Sequence, residues 1–146
     1  MTAASMALTG AFLLSAYHQI FVHIETSDMV DVARTIAHDE GFDVSNHDVY
    51  TFEVGSSPDN MVLGYTAIAF FINGSIANTI IISKTTGQAM DMNGCEIFDY
   101  PDLKSFQDEI MRITKAKRKT PHEMARDADC ENPQVLTKPV PITRLK

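Results

Sequence analysis

Apolar positions along the chain change period several times, and each change marks an element. In "SDMVDVARTIAHDEGF" (27–42), Met29, Ala33, Ile36 and Ala37 recur three or four apart, with Val30 and Val32 at the margins, the spacing of an amphipathic helix. Ser27 is placed to cap it, Asp28 and Asp31 sit where the helix dipole favours anions, and Gly41 offers the left-handed residue that ends it. The period then falls to two in "DVYTFEV" (48–54), and "GSSPDN" interrupts as a loop. "MVLGYTAIAFFI" (61–72) is long and rich in strand formers, "NG" (73–74) is a strong hairpin signal, and "SIANTIIIS" (75–83) returns. "KTTGQ" turns the chain again into the short strand "AMDM". The pattern predicts a meander of about four antiparallel strands with helices covering it.

After the meander the helical period resumes. In "PDLKSFQDEIMRITKAKRK" (101–119), Leu103, Phe106, Ile110 and Ile113 hold one face, and Pro101 suits the first turn. Asp102, Asp108 and Glu109 precede Lys115, Lys117, Arg118 and Lys119. That order matches the helix dipole and makes the basic run a solvated helix end. "TPHEMARDADC" has Thr120 as cap, Pro121 at the first helical position and Glu123 at the third, a capping box. The two segments predict a C-terminal helical hairpin. Three prolines in "ENPQVLTKPVPITRLK" predict an extended tail. The expected organisation is an apolar leader or buried first helix over residues 1–16, a single α+β domain over 17–131 and a Pro-rich tail over 132–146.

Charge adds a polarity to this layout. Residues 1–100 hold two basic side chains, Arg34 and Lys84, against twelve acids, whereas 101–146 hold ten bases against seven acids, for a net charge of -7 over 146 residues. An acidic body disfavours nucleic acid as a partner, because phosphate binding needs a concentrated basic surface. The apolar run Met6 to Ala16 has the length and small-residue exit of a signal-peptide core, but no basic residue precedes it. It is also well short of the roughly 20 residues that cross a bilayer. Export and cytosolic residence both remain open on these residues alone.

Candidate chemistry is sparse. Cys95 and Cys130 stand at the two ends of the expected helical hairpin, where antiparallel helices would bring them together, and a disulfide would fit an oxidising compartment. The alternative is two free thiols in a cytosolic protein. Neither cysteine belongs to a C-x-x-C pair, and His18, His23, His38, His47 and His122 lack metal-site spacing, so no metal or other cofactor is expected. Asp91, Glu96, Asp99 and Asp102 gather at the sheet-to-helix junction, where acids more often cap turns and helices than catalyse. No set of residues reads as catalytic. The acids best placed to meet a partner lie in loops around the sheet: Asp39, Glu40, Asp43 and Asp48 after the first helix, and Asp59 in "SSPDN".

The stretch from the first helix through "NTIIISKTTGQAMDM", with its Thr86-Gly87-Gln88-Ala89 turn, resembles the helix-plus-sheet modules of exported bacterial proteins, including PepSY-like domains. The chain also resembles compact periplasmic immunity proteins. That likeness implies a binding or inhibitory role without catalytic residues: a periplasmic inhibitor or immunity protein that occludes a toxin or enzyme with a basic surface. The alternative is a small cytosolic homodimer, joined through its sheet, that holds a small ligand in its concavity.

Overall fold

The computed structural model describes residues 26–55 and 62–137. The expectations for residues 1–16, for Asp59 and for 138–146 of the tail lie outside the described residues. Helix α1 (Thr26–Asp39) buries Met29, Val32, Ala33, Ile36 and Ala37. Its end is closed by paired backbone bonds, from the Gly41 N–H to the His38 carbonyl and from the Phe42 N–H to the Ala37 carbonyl. Gly41 holds a φ of 97° that makes this closure possible. Phe42 then packs edge-on against Phe70, which fixes where the chain leaves the helix.

The sheet has six strands rather than four. They run β1 (Tyr50–Val54), β2 (Tyr65–Ile72), β3 (Ser75–Ser83), β4 (Ala89–Asp91), β5 (Glu96–Phe98) and β6 (Gln134–Leu136), adjacent in that order. The first five pair antiparallel, and β6 lies parallel to β5. Alternation along the strands sends side chains to two faces. One face presents Ile68, Ile80, Ile82, Ala89 and Phe98 to α1. The other presents Tyr65, Ala67, Ile81, Met90 and Ile97 to Met124 and Ala125. Two covered faces explain why β2 and β3 read as long apolar runs.

The helices after β5 depart from the expected hairpin. A 3-10 turn (Pro101–Leu103) leads into α2 (Lys104–Thr114), and α3 (Pro121–Asp127) follows. Together they form the crossover that carries the chain from β5 to its parallel neighbour β6, as a parallel pair requires. The "KAKRK" run is not a helix end: Lys115 turns left-handed, with a φ of 60°, and the helix stops at Thr114. Beyond it the Gln88 side chain grips the Lys119 backbone at both ends, 3.0 Å to the carbonyl and 2.8 Å to the N–H. A loop pinned in this way cannot continue the helix. The capping box on α3 is present as the sequence predicts, with Thr120 and Glu123 satisfying each other's backbone N–H. Lys119 and Tyr65 both reach Asp127, at 2.6 and 2.9 Å, and so anchor α3 to β2. Burial raises the Asp127 carboxyl, yet the Lys119 ammonium and the Tyr65 hydroxyl hold it below its usual range.

The sulfurs of Cys95 and Cys130 are bonded, with Cα atoms 5.9 Å apart. The bridge joins the β4–β5 turn to the segment between α3 and β6. Cys95 belongs to the core on the α3 side of the sheet, and the partly buried Cys130 packs against it.

Candidate functional site: an acidic pole at the end of the first helix

The loop acids do not form one patch. Asp43 and Asp48 are exposed in the turns after α1, where Asp43 accepts a hydrogen bond from the Ser45 hydroxyl. Asp39 and Glu40 are half-buried and turn instead toward the sheet and the 3-10 turn. There they meet acids that the sequence had placed at a different junction. Asp39 lies within hydrogen-bonding reach of Asp102, and burial, followed by that neighbour, raises its carboxyl. Asp91 and Glu96, which oppose each other across the β4–β5 ladder, act on Glu40 through their charge. Burial first, and those two carboxylates next, push Glu40 up to about 7.

Tyr100 belongs to the core that packs against α1. It is 1% exposed, and among the described residues its hydroxyl has no hydrogen-bond partner. Burial first, and the charges of Glu40, Asp39 and Glu96 next, push its phenol up. Among the described residues the pole's only ion-pair contact is between His38 and Asp39, at 3.5 Å. Asp91 has work within the chain, since it accepts from the Asn78 amide at 3.0 Å and the Asn93 N–H at 2.7 Å. Glu40 and Glu96 accept no hydrogen bond among the described residues.

The raised Glu40 has a measurable consequence. Its folded value lies above its unfolded one, so the protein binds an extra proton between them. That contribution is fully present below about pH 4.5 and is lost as pH rises through about 7. Glu40→Gln should flatten the decline of stability across this interval, measured by urea unfolding at several pH values. An unchanged pH profile would show that Glu40 ionises as freely as an exposed carboxyl.

A concavity lies elsewhere, between β5, β6, α2 and α3. It encloses about 450 Å³ and is lined by Ile97, Gln107, Arg118, Met124 and Val135 among others. Gln107 is 1% exposed there, and among the described residues nothing donates to its Oε1. Among the described residues no group of His, Cys, Asp and Glu could hold a metal ion, and no helix is long and apolar enough to cross a membrane.

No protein-family model matches the chain, and no curated protein does. The PepSY-like resemblance therefore has no support from these comparisons. The fold is similar to that of a chain in the solved structure of a type VI secretion system effector-immunity complex from Pseudomonas protegens. The TM-score is 0.63 at 15% identity, over 74% of this chain and 91% of that one. At this identity the likeness is one of fold.

Proposed function

We propose that this protein is a non-catalytic binding protein, an exported inhibitor or immunity protein that occludes a partner enzyme or toxin. The observation that carries it is the fold shared with a chain of an effector-immunity complex. The acidic pole supports a partner with a basic surface, because among the described residues no Lys or Arg pairs with its carboxylates and their field extends outward. The Cys95–Cys130 bridge supports residence in an oxidising compartment such as the periplasm. Asp39, Glu40, Asp43 and Asp48 are the proposed contact residues.

The experiment has two stages. Affinity capture from the native host with mass spectrometry identifies the partner, and its activity is then titrated with this protein. Stoichiometric inhibition is expected. Reversal of the exposed Asp43 and Asp48 to Lys should slow association about tenfold at low salt and flatten its salt dependence, since rim charges act mainly on encounter. A partner whose activity is untouched, or rates indifferent both to the reversals and to salt up to about 0.5 M, would overturn the proposal. Small-ligand binding is the second function with an observation behind it: the 450 Å³ cleft and its unpaired Gln107 oxygen have the size and polarity of a small-molecule pocket.

A further inference from the structure

Gln107 stands where an apolar side chain would serve the fold better. With Leu103 and Ile110 it makes one stripe at helical spacing, and each of the three is 1% exposed. A leucine or methionine would fill that place and strand no polar atom. The Gln107 Oε1 is instead buried, and among the described residues nothing donates to it, although such groups are nearly always satisfied. Gln88, which lines the same cleft between β5, β6, α2 and α3, shows the ordinary arrangement: the Lys119 backbone takes both ends of its amide. The other walls of the cleft are of three kinds. Ile97, Met124 and Val135 are apolar, Lys104 and Arg118 are cations, and Asp99 and Asp108 are carboxylates. Among the described residues these four charges enter no ion pair, whereas the Lys119 ammonium is already held by Asp127.

We propose that this cleft binds a small zwitterion with an apolar side chain, of the chemical class of a free α-amino acid. The proposal rests on the reading of the cleft as a small-molecule pocket and stands apart from the inhibitor reading. The ligand's ammonium donates to the Gln107 amide oxygen and is balanced by Asp99 and Asp108. An amide turns easily about its last bond, so this oxygen can be presented to the cleft that its residue lines. Lys104 and Arg118 meet the carboxylate, and the hydrocarbon rests on Ile97, Met124 and Val135. A volume of about 450 Å³ suits such a ligand, since small-molecule sites typically run from roughly 300 to 1,000 Å³. A plain carboxylate would leave the Gln107 oxygen without a donor, and a plain amine would leave both cations without a partner. Walls of both signs therefore select a ligand that carries both charges.

The test uses the full chain with its disulfide intact and L-leucine as the probe, titrated to millimolar concentration and followed by NMR. Saturable shifts at the Gln107 side-chain amide and at the Ile97 and Met124 methyl groups are expected. Isocaproate, which is leucine without its ammonium, and isopentylamine, which is leucine without its carboxylate, should each bind about tenfold more weakly, equivalent to about 1.4 kcal/mol. Gln107→Met should lose leucine affinity by a similar factor and yet unfold at higher urea than the parent when no ligand is present, because it removes the stranded oxygen and keeps the shape of the stripe. A glutamine that served the fold alone would cost stability when replaced. Arg118→Ala should weaken leucine binding and leave isopentylamine binding as it was. If isocaproate or isopentylamine binds as tightly as leucine at the same residues, the small-molecule reading stands and the zwitterion falls. Absence of saturable shifts with all three compounds would overturn both, and the inhibitor reading would still rest on its own partner experiment. Leucine affinity unchanged in Gln107→Met and in Arg118→Ala would overturn the assignment of the cleft.

Discussion

Replacing Cys95 and Cys130 together by alanine should lower folding stability by roughly 3 to 4 kcal/mol. The bridge closes a loop between residues separated by 35 positions, and removing it frees the unfolded chain to explore far more conformations. Alanine is the better probe than serine, because Cys95 is buried beside Tyr65, Ile81 and Met124 and a hydroxyl there would need a partner. The strands from β1 to β4 hold their ladders without the bridge, so the circular dichroism of the folded variant should change little. Urea unfolding measures the difference, and the parent protein under strong reductant should fall to the same midpoint. Equal midpoints for oxidised parent and variant would mean that the bridge adds nothing to stability.

Substituting alanine for Gly87 should cost about 2 kcal/mol or more, for two separate reasons. Gly87 has a φ of 70°, a left-handed conformation that costs a residue with a side chain roughly 1 to 2 kcal/mol. A Cβ at this position would also meet the Phe106 ring at 3.0 Å and the Gln107 Cα at 3.3 Å. Helix α2 cannot simply withdraw, because the Thr114 hydroxyl donates to the Thr85 carbonyl at 2.6 Å and ties the helix to this same turn. Gly74→Ala is the natural comparison. Its φ is 77°, but nothing lies within 4 Å of the added carbon, so it should pay the backbone cost alone. Urea midpoints for the two variants separate the contributions. Equal losses would show that α2 gives way freely.

What could be read from the sequence was mostly local. The α1 face, the β3 span and the α3 capping box depend on neighbours within a few residues, and all three stand in the structure close to where the pattern put them. The missed β4–β5 hairpin carried its signal too: Asn93-Gly94 is the same dipeptide that marks the β2–β3 turn at Asn73-Gly74. The second pair is the weaker signal because its flanking strands are only three residues long. β6 had no signal of its own. "QVL" between prolines becomes a strand because β5 offers it an edge and the bridge brings it there. The end of α2 was misplaced because a Gln88 side chain from the sheet captures the loop, and a one-dimensional pattern cannot show such a contact. The candidate site follows the same division. Asp39 and Glu40 could be named as exposed-loop acids, but their meeting with Asp91, Glu96 and Asp102 depends on which face of the sheet α1 covers. Nothing in either segment records that choice.

The order of the strands also says how the molecule comes together. β1 to β5 follow one another in space as they do along the chain, so each new strand needs only a short loop to find its neighbour after β2. β6 is different, because it must wait for two helices to form and fold back before it can reach β5. Contacts between distant parts of a chain form slowly compared with contacts between near ones. Assembly is therefore expected to run as a zipper from the β2–β3 hairpin outward, with β6 as its last tooth. Until that tooth engages, the outer side of β5 is an open edge, available to any extended chain nearby. The cysteine bridge shortens the period of exposure, because once it forms β6 is tethered next to the strand it must find.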